Sequence, residues 1–171
     1  MVPERLFFAL WPGTTQCRAL SRIQSELSGP TGRPVHPLDI HLTLVFLGPA
    51  TPEQRGCAEA AAGRLRIAPF DLVLDQTGSF PRARVLWCGI SVCPSPLAEL
   101  VTALRGELAG CGFVLDQRPY RAHATLARKS PPREARLLDR PIPWPVDGFV
   151  LAYGQEGPPP RYRILRRWNL T

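Results

Sequence analysis

The sequence lacks any apolar run long enough to cross a membrane. Its longest apolar stretches, such as 6–11 and 42–47, are far shorter than the ~20 residues that a membrane-spanning helix needs. The first residues also lack the basic segment, apolar segment and small-residue cleavage site of a signal peptide. We therefore expect a cytoplasmic protein that has no membrane partner.

Cysteine is sparse, and its spacing does not indicate a metal or redox motif. The count of five is odd, and no two cysteines lie as close together as those of a zinc knuckle or a redox pair. We expect free, partly buried thiols. The five residues are Cys17, Cys57, Cys88, Cys93 and Cys111.

Lysine is almost absent, although the chain is basic. The net charge is +7, from 21 Lys and Arg against 14 Asp and Glu, and Lys129 is the only lysine. A basic protein attracts polyanions, and arginine forms bidentate bonds to phosphate better than lysine does. High-GC coding, which also favours Ala, Gly and the 20 prolines, is an alternative explanation. Charge alone therefore favours a nucleic-acid partner only modestly.

Apolar periodicity, bounded by glycine and proline, predicts strands that alternate with helices. No segment has the composition of an interdomain linker, so we expect one domain over residues 1–171. The predicted strands cover 5–11, 35–47, 70–74, 84–90, 121–128, 149–153 and 162–170. The predicted helices begin near Thr14, Pro52, Ser95 and Arg133, and the last of them is short. The helix from Ser95 has the clearest apolar stripe, made of Leu97, Leu100, Val101, Leu104 and Leu108.

Two of the three histidines begin the same four-residue string. His41-Leu-Thr-Leu44 and His123-Ala-Thr-Leu126 lie 82 residues apart, close to half the chain length, and each falls in a predicted strand. Residues two apart in a strand point to the same face, so each strand presents an imidazole and a hydroxyl on one side and packs its other side in the core. The repeat predicts two related lobes that face each other across a cleft.

Two imidazoles across a cleft suit phosphoryl chemistry. An unperturbed imidazole has a pKa of ~6.5, so near neutral pH one ring can accept a proton while the other donates one. A zinc site is the other functional interpretation, but zinc usually needs three or four protein ligands and only His36 remains. We expect no metal and no other cofactor.

The chain resembles the 2H phosphoesterase superfamily, and within it the RNA 2′,3′-cyclic phosphodiesterases, once called 2′-5′ RNA ligases. The resemblance runs from about residue 5 to residue 170. It is carried by these strings: Arg5-Leu-Phe-Phe-Ala-Leu, His41-Leu-Thr-Leu-Val-Phe-Leu-Gly48, Gly78-Ser-Phe-Pro81 with Val85-Leu-Trp87, and Arg118-Pro-Tyr-Arg-Ala-His-Ala-Thr-Leu-Ala-Arg128.

The resemblance implies a bilobal, duplicated α+β fold with two antiparallel sheets lining a central groove and helices outside. It implies hydrolysis of RNA 2′,3′-cyclic phosphate ends to 2′-phosphomonoesters. His41 would be the proton donor to the leaving 3′ oxygen, and His123 the base that activates water. Thr43 and Thr125 would hold phosphate oxygens.

The resemblance also implies a role for the residue five positions after each histidine. Phe46 would stack a base, and Arg128 would contact phosphate. Strict strand alternation turns both residues away from the histidine face, because five is odd, so each strand must twist, bulge or end there. For Phe46 a core position is the alternative. Weaker phosphate candidates are Arg118 and Arg121, and His36 is expected in a loop or on the surface.

Two other functions remain open from the sequence. The same residues could join RNA halves through a 2′-5′ linkage, with a hydroxyl in place of water. A non-catalytic RNA-binding module using the basic groove is the alternative from another class. The expected partners are RNA with 2′,3′-cyclic phosphate ends or small cyclic nucleotides, and the expected oligomeric state is a monomer.

Overall fold

The computed structural model of the chain, which describes residues 3–29 and 32–171, contains both strands and helices. Nine strands and three α-helices occur in that part of the chain. The strands are β1 Arg5–Leu10, β2 Arg33–Pro34, β3 Leu42–Pro49, β4 Phe70–Phe80, β5 Val85–Gly89, β6 His123–Arg128, β7 Arg136–Val146, β8 Gly148–Gly154 and β9 Tyr162–Asn169. The helices are α1 Thr14–Leu27, α2 Pro52–Gly63 and α3 Ser95–Leu108. No helix in these ranges is long and apolar enough to span a bilayer.

The strands form an antiparallel sheet in the order β7-β4-β5-β6-β3-β1-β8-β9, with β2 paired to β6. The half β7-β4-β5-β6 meets the half β3-β1-β8-β9 at a single Cα pair, Leu42 with Ala124. The α+β class predicted from the sequence is confirmed. The two antiparallel sheets that the resemblance implied are joined into one by this pair.

Local sequence signals explain where the second and third helices begin and end. Thr51 and Gln54 form a capping box at the start of α2, with each side chain bonded to the other residue's backbone. Pro96 occupies the first turn of α3, where its missing N–H needs no partner. Gly112, with a φ of 76°, ends the segment after α3, because a left-handed residue cannot continue a helix.

The core lies between the helices and one face of the sheet. The predicted stripe of α3 is buried along its whole length, and burying a leucine side chain stabilises a fold by about 1.5–3 kcal/mol. In the two histidine strands the alternate residues Leu42, Leu44, Ala124 and Leu126 are at most 2% exposed. The histidine strands therefore have one face in the core, as alternation predicts.

Helices pack across the boundary between the two halves of the sheet. Helix α1, which precedes β3, packs on β6 and β7 of the other half. The buried Gln24 amide of α1 donates to the carbonyl oxygens of Val35, at 2.8 Å, and Leu126, at 2.6 Å. Helix α3 precedes β6 and packs on β3 and β4. The two halves are therefore interlocked.

The helix predicted over 133–138 is wrong. Residues from Arg136 onward belong to β7, which pairs with β4. Three prolines at alternate positions, Pro141, Pro143 and Pro145, made this strand hard to see in the sequence. Proline has no N–H to donate, and β7 tolerates it because the strand lies at the edge of the sheet.

The prediction of free thiols is wrong for two of the five cysteines. A disulfide joins Cys57 on α2 to Cys111 just after α3, across a sequence separation of 54 residues. The packing of α2 against α3 brings the two together, and no sequence spacing signals such a distant pair. Cys17, Cys88 and Cys93 are free.

Candidate active site

The two histidine strands meet at the centre of the sheet. Leu42 pairs with Ala124, and this antiparallel register places His41 beside Thr125 and Thr43 beside His123. These four side chains lie on the sheet face opposite the core, which we call the groove face. Tyr120 reinforces the junction, because its hydroxyl donates to the Thr43 carbonyl oxygen at 2.9 Å.

Each histidine ring is held by the backbone two residues before it. His41 Nδ1 lies 2.7 Å from the carbonyl oxygen of Asp39, and His123 Nδ1 lies 2.8 Å from that of Arg121. A carbonyl oxygen only accepts, so Nδ1 carries the hydrogen in both rings. Nε2 of each neutral ring is therefore left as a proton acceptor, or as a donor once protonated.

Aromatic rings enclose His41. Trp11 stacks on the imidazole with centroids 5.0 Å apart, Phe7 stacks at 4.8 Å, and Tyr162 meets it edge-on at 5.0 Å. This burial lowers the pKa of His41 to about 4, although the Asp39 carbonyl and carboxylate oppose the shift. The ring is therefore neutral at pH 7 in the unliganded protein.

His123 lies in a similar but more cationic setting. The edge of the Phe80 ring meets its imidazole at 4.9 Å, and the guanidinium of Arg121 lies 5.0 Å from the centre of that phenyl ring. Burial lowers the pKa of His123, and the charges of Arg121 and Arg128 lower it further. The sequence suggested one neutral and one protonated ring near neutral pH, whereas both rings favour the neutral form before an anion binds.

A β-bulge returns Phe46 to the groove face. Thr43 pairs with Ala9 and Val45 pairs with Phe8, so Leu44 is an extra residue in β3. Phe46 consequently lies opposite Phe7, on the same face as Thr43. Its side chain is 49% exposed, which excludes the core alternative. The guanidinium of Arg5 lies 5.6 Å from its ring centre.

The second histidine strand has a bulge at the equivalent position. Thr125 pairs with Trp87 and Ala127 pairs with Leu86, so Leu126 is the extra residue in β6. Arg128, which follows Ala127, is thereby turned to the groove face and is exposed. Its charge adds to the effect of burial and lowers the pKa of both His41 and His123.

Asp39 is a site residue that sequence reasoning missed. Its carboxylate is 4% exposed and accepts the backbone N–H of Arg161, at 2.9 Å to each oxygen, and that of Tyr162 at 3.1 Å. One residue thus fixes His41 through its carbonyl and the start of β9 through its side chain. The available signal was a carboxylate two positions before the first histidine.

Of the weaker phosphate candidates, Arg121 lies beside His123 and Arg118 lies away from the site. The Arg118 side chain is bonded to the Asp116 carboxylate at 2.6 Å and points to solvent. Arg121 covers Phe80. His36 accepts the Leu38 N–H at 3.2 Å and so caps a short turn before β3. Within residues 3–29 and 32–171, no group of three or more His, Cys, Asp or Glu is arranged to hold a metal ion.

Comparisons with known proteins agree on one family. Residues 10–158 match the family model of the 2′-5′ RNA ligase superfamily. A protein of Escherichia coli named RNA 2′,3′-cyclic phosphodiesterase is 35% identical, covering 99% of this chain and 98% of its own length. A protein of the same name from Thermus thermophilus is 35% identical, covering 97% and 90%.

Solved structures give the same result. The crystal structure of E. coli LigT complexed with 3′-AMP superposes with a TM-score of 0.88 and 32% identity, over 99% of each chain. A structure from T. thermophilus, TT0787, has a TM-score of 0.82 and 31% identity over 97% of each chain. With the family model matching most of its length and relatives this similar along nearly all of it, the chain belongs to the 2′-5′ RNA ligase superfamily.

Proposed function

We propose that this protein hydrolyses RNA 2′,3′-cyclic phosphate ends to 2′-phosphomonoesters by general acid–base catalysis with two histidines. The names of its relatives from E. coli and T. thermophilus support the reaction. The observation that carries the proposal is the matched pair of imidazoles. Both are fixed through Nδ1, and both lie on one face with two threonines and an arginine.

The proposed reaction assigns one proton transfer to each ring. His123 Nε2 takes a proton from water as the new bond from oxygen to phosphorus forms. The bond from phosphorus to the 3′ oxygen breaks, and His41 Nε2 gives its proton to that oxygen. Thr43 and Thr125 donate hydrogen bonds to the non-bridging phosphate oxygens, and Arg128 offsets the charge that builds on them.

The proton donor must be charged before it can act, which burial opposes at His41. A bound phosphate diester is an anion, and an opposite charge within about 4–6 Å favours the protonated imidazole. The negative charge of the bound substrate therefore raises the pKa of His41, so that the protonated ring can act as an acid. In the free protein both pKa values lie below the ordinary value, so we expect kcat/KM to be highest on the acid side of pH 6.5.

The direct test uses a short RNA that ends in a 2′,3′-cyclic phosphate, assayed in chelator. We expect a 2′-phosphate product, and a loss of about 10²-fold or more in His41→Ala and in His123→Ala. The third histidine provides a matched control, so His36→Ala should retain full activity. Full activity in either site variant would refute the acid–base roles of the two rings.

A second substrate separates the acid from the base. An artificial phosphodiester with a 4-nitrophenolate leaving group needs no protonation of that group. On this substrate we expect His41→Ala to recover most of its lost rate, while His123→Ala stays impaired. The opposite pattern would exchange the two roles.

The family name favours 2′-5′ RNA ligation as a second candidate reaction. It is the parallel reaction, in which a ribose 5′-hydroxyl attacks the cyclic phosphate in place of water and the bond from phosphorus to the 3′ oxygen breaks, with the same residues. Incubating split RNA halves and comparing joined with hydrolysed product measures the ratio. We expect hydrolysis to dominate, because water is far more concentrated than an RNA end.

The non-catalytic alternative makes the opposite prediction for the histidine variants. A pure RNA-binding module would bind RNA in a salt-sensitive manner, and this binding would survive the loss of both histidines. The wild-type protein would show no turnover. The cytoplasmic location, the monomeric state and the independence from metal or cofactor stay predictions. Cell fractionation, analytical ultracentrifugation and activity in chelator measure them.

A further inference from the structure

A group of cations surrounds Arg128 at one end of the groove face. Arg33 of β2 is the cross-strand partner of Arg128, and cross-strand partners point to the same side of a sheet. Lys129 follows Arg128 in the chain, and Arg84 lies beside Lys129, with its guanidinium donating to the Lys129 carbonyl oxygen at 3.3 Å. All four side chains are exposed. We call Arg33, Arg84 and Lys129 the basic end of the groove.

The backbone of the basic end is unusual. Arg84 and Lys129, with φ of 54° and 52°, are the only non-glycine residues with positive φ in the described part of the chain. They are also adjacent in space, since the Ser130 N–H donates to the Arg84 carbonyl oxygen at 2.9 Å. Left-handed conformations are uncommon outside glycine and cluster at ligand-binding positions. Here they hold two cations next to the phosphate contact.

Among the residues that the structure describes, no carboxylate neutralises these charges. The ion pairs in this part of the chain are made by Arg55, Arg64, Arg118 and Arg166. None of them involves the basic end or Arg128. Like charges directly opposite each other, as in the pair Arg33 and Arg128, repel. An anion held between them would relieve that repulsion.

We propose that the basic end binds the RNA phosphodiester that precedes the cyclic end, so that the preferred substrate is an oligoribonucleotide and not a free cyclic nucleotide. The inference rests on the proposed function, which places the cyclic phosphate at Arg128. The next phosphate of a single strand lies one nucleotide away, and the basic end continues from Arg128 away from the histidines. These cations contact only backbone charge, so binding there is independent of base sequence.

The experiment compares two substrates and two double variants. The substrates are a nucleoside 2′,3′-cyclic phosphate and a five-nucleotide RNA with the same end. Arg33→Gln combined with Lys129→Gln removes two exposed charges from the basic end. Arg18→Gln combined with Arg22→Gln removes two charges from α1, on the helical side of the sheet, and serves as the control.

We expect the basic-end variant to lose about tenfold in kcat/KM on the RNA and less than twofold on the mononucleotide. Affinity for the 2′-phosphate product RNA, measured by fluorescence anisotropy, should also lose salt dependence, by about 0.7 in the slope of log K against log[salt] for each contact removed. The control variant should match the wild type in both measurements.

The outcomes separate this inference from the proposed function. Equal losses on both substrates, or an unchanged salt slope for the product RNA, would overturn the role of the basic end. Failure of the wild type to hydrolyse either substrate would overturn the proposed function, while the anisotropy measurement would still decide whether the basic end binds RNA.

Discussion

At the scale of single residues, Arg128 is a charge that acts on both histidines. Its guanidinium lowers the pKa of both histidines, although only one of them lies on its own strand. Burial is the larger cause of these low pKa values, and the charge that would hold the phosphate adds to it. We expect phosphate binding and proton transfer to be coupled through this side chain.

This coupling predicts the behaviour of Arg128→Met. Removing the positive charge raises the pKa of both imidazoles, so both limbs of the pH profile of kcat/KM should move to higher pH. The maximum should fall about 10²-fold, because the proposed contact with phosphate is lost. Arg128→Lys keeps the charge and should keep the position of the profile while lowering its height. A profile that Arg128→Met leaves in place would exclude the coupling.

The residues that we propose to carry the chemistry were the part of the site most accessible from sequence. His41, Thr43, His123 and Thr125 share a face because a strand alternates, and a repeated string reveals that arrangement. Asp39 was not accessible, because its role depends on a contact with residues 161–162, more than 120 positions away. Long-range contacts of this kind leave no local pattern.

At the scale of elements, the buried Asp39 carboxylate connects the turn before β3 to the start of β9. Asp39→Asn keeps the shape but replaces one accepting oxygen with an NH₂ that faces the backbone N–H groups of 161 and 162. We expect the free energy of unfolding to fall by about 1–3 kcal/mol. We also expect kcat/KM to fall, because Tyr162, whose ring meets His41, loses part of its anchor and because the charge that raises the pKa of His41 is removed.

The pH profile of kcat/KM in Asp39→Asn distinguishes an effect on His41 from a general loss of stability. The Asp39 charge raises the pKa of His41, so its removal should move the limb contributed by His41 to lower pH and leave the other limb in place. Asp71→Asn, at an exposed position in β4, is the matched control and should change neither stability nor profile. A loss of stability without a shift of that limb would leave Asp39 a purely structural residue.

Strands and helices were predictable where their apolar pattern was regular, as in α3 and β1. The strand β7 was not, because its three alternate prolines suppress the usual strand signal and are tolerated only at an edge. For the bulges at Leu44 and Leu126, the sequence predicted only that each strand must twist, bulge or end if residues 46 and 128 are to share the histidine face. Which of these occurs depends on how β3 pairs with β1 and how β6 pairs with β5, and the sequence of a single strand does not determine that pairing.

At the scale of the whole molecule, the interlocked packing of α1 and α3 argues against separable lobes. We propose that residues 1–171 form a single domain, with the histidine strands as the central part of two related lobes. Because α1 packs on β6 and β7, neither half has a complete core without the other. Calorimetry should therefore give one transition whose van't Hoff and calorimetric enthalpies agree.

Breaking the disulfide tests whether thermal unfolding remains a single transition. Bridging residues 54 apart removes chain entropy from the unfolded state, worth at most about 4 kcal/mol in the loop-entropy estimate. Reduction, or Cys111→Ser, should lower Tm while keeping one transition. Activity at 25 °C should persist, since Cys57 and Cys111 belong to the helical side of the sheet. Cys93→Ser removes an exposed free thiol and controls for the loss of a sulfur. Two resolved transitions would contradict the single domain.

The twin bulges have a consequence for the direction in which an RNA strand lies. If the two halves of the site were chemically alike, a nucleotide could enter with either end first. The same extra residue in β3 and β6 instead brings a flat apolar ring, Phe46, to one end and a cation, Arg128, to the other. In the roles proposed for Phe46 and Arg128, a duplicated frame with unlike residues at its matching points would distinguish a base from a phosphate. We expect it to impose one polarity on the bound chain.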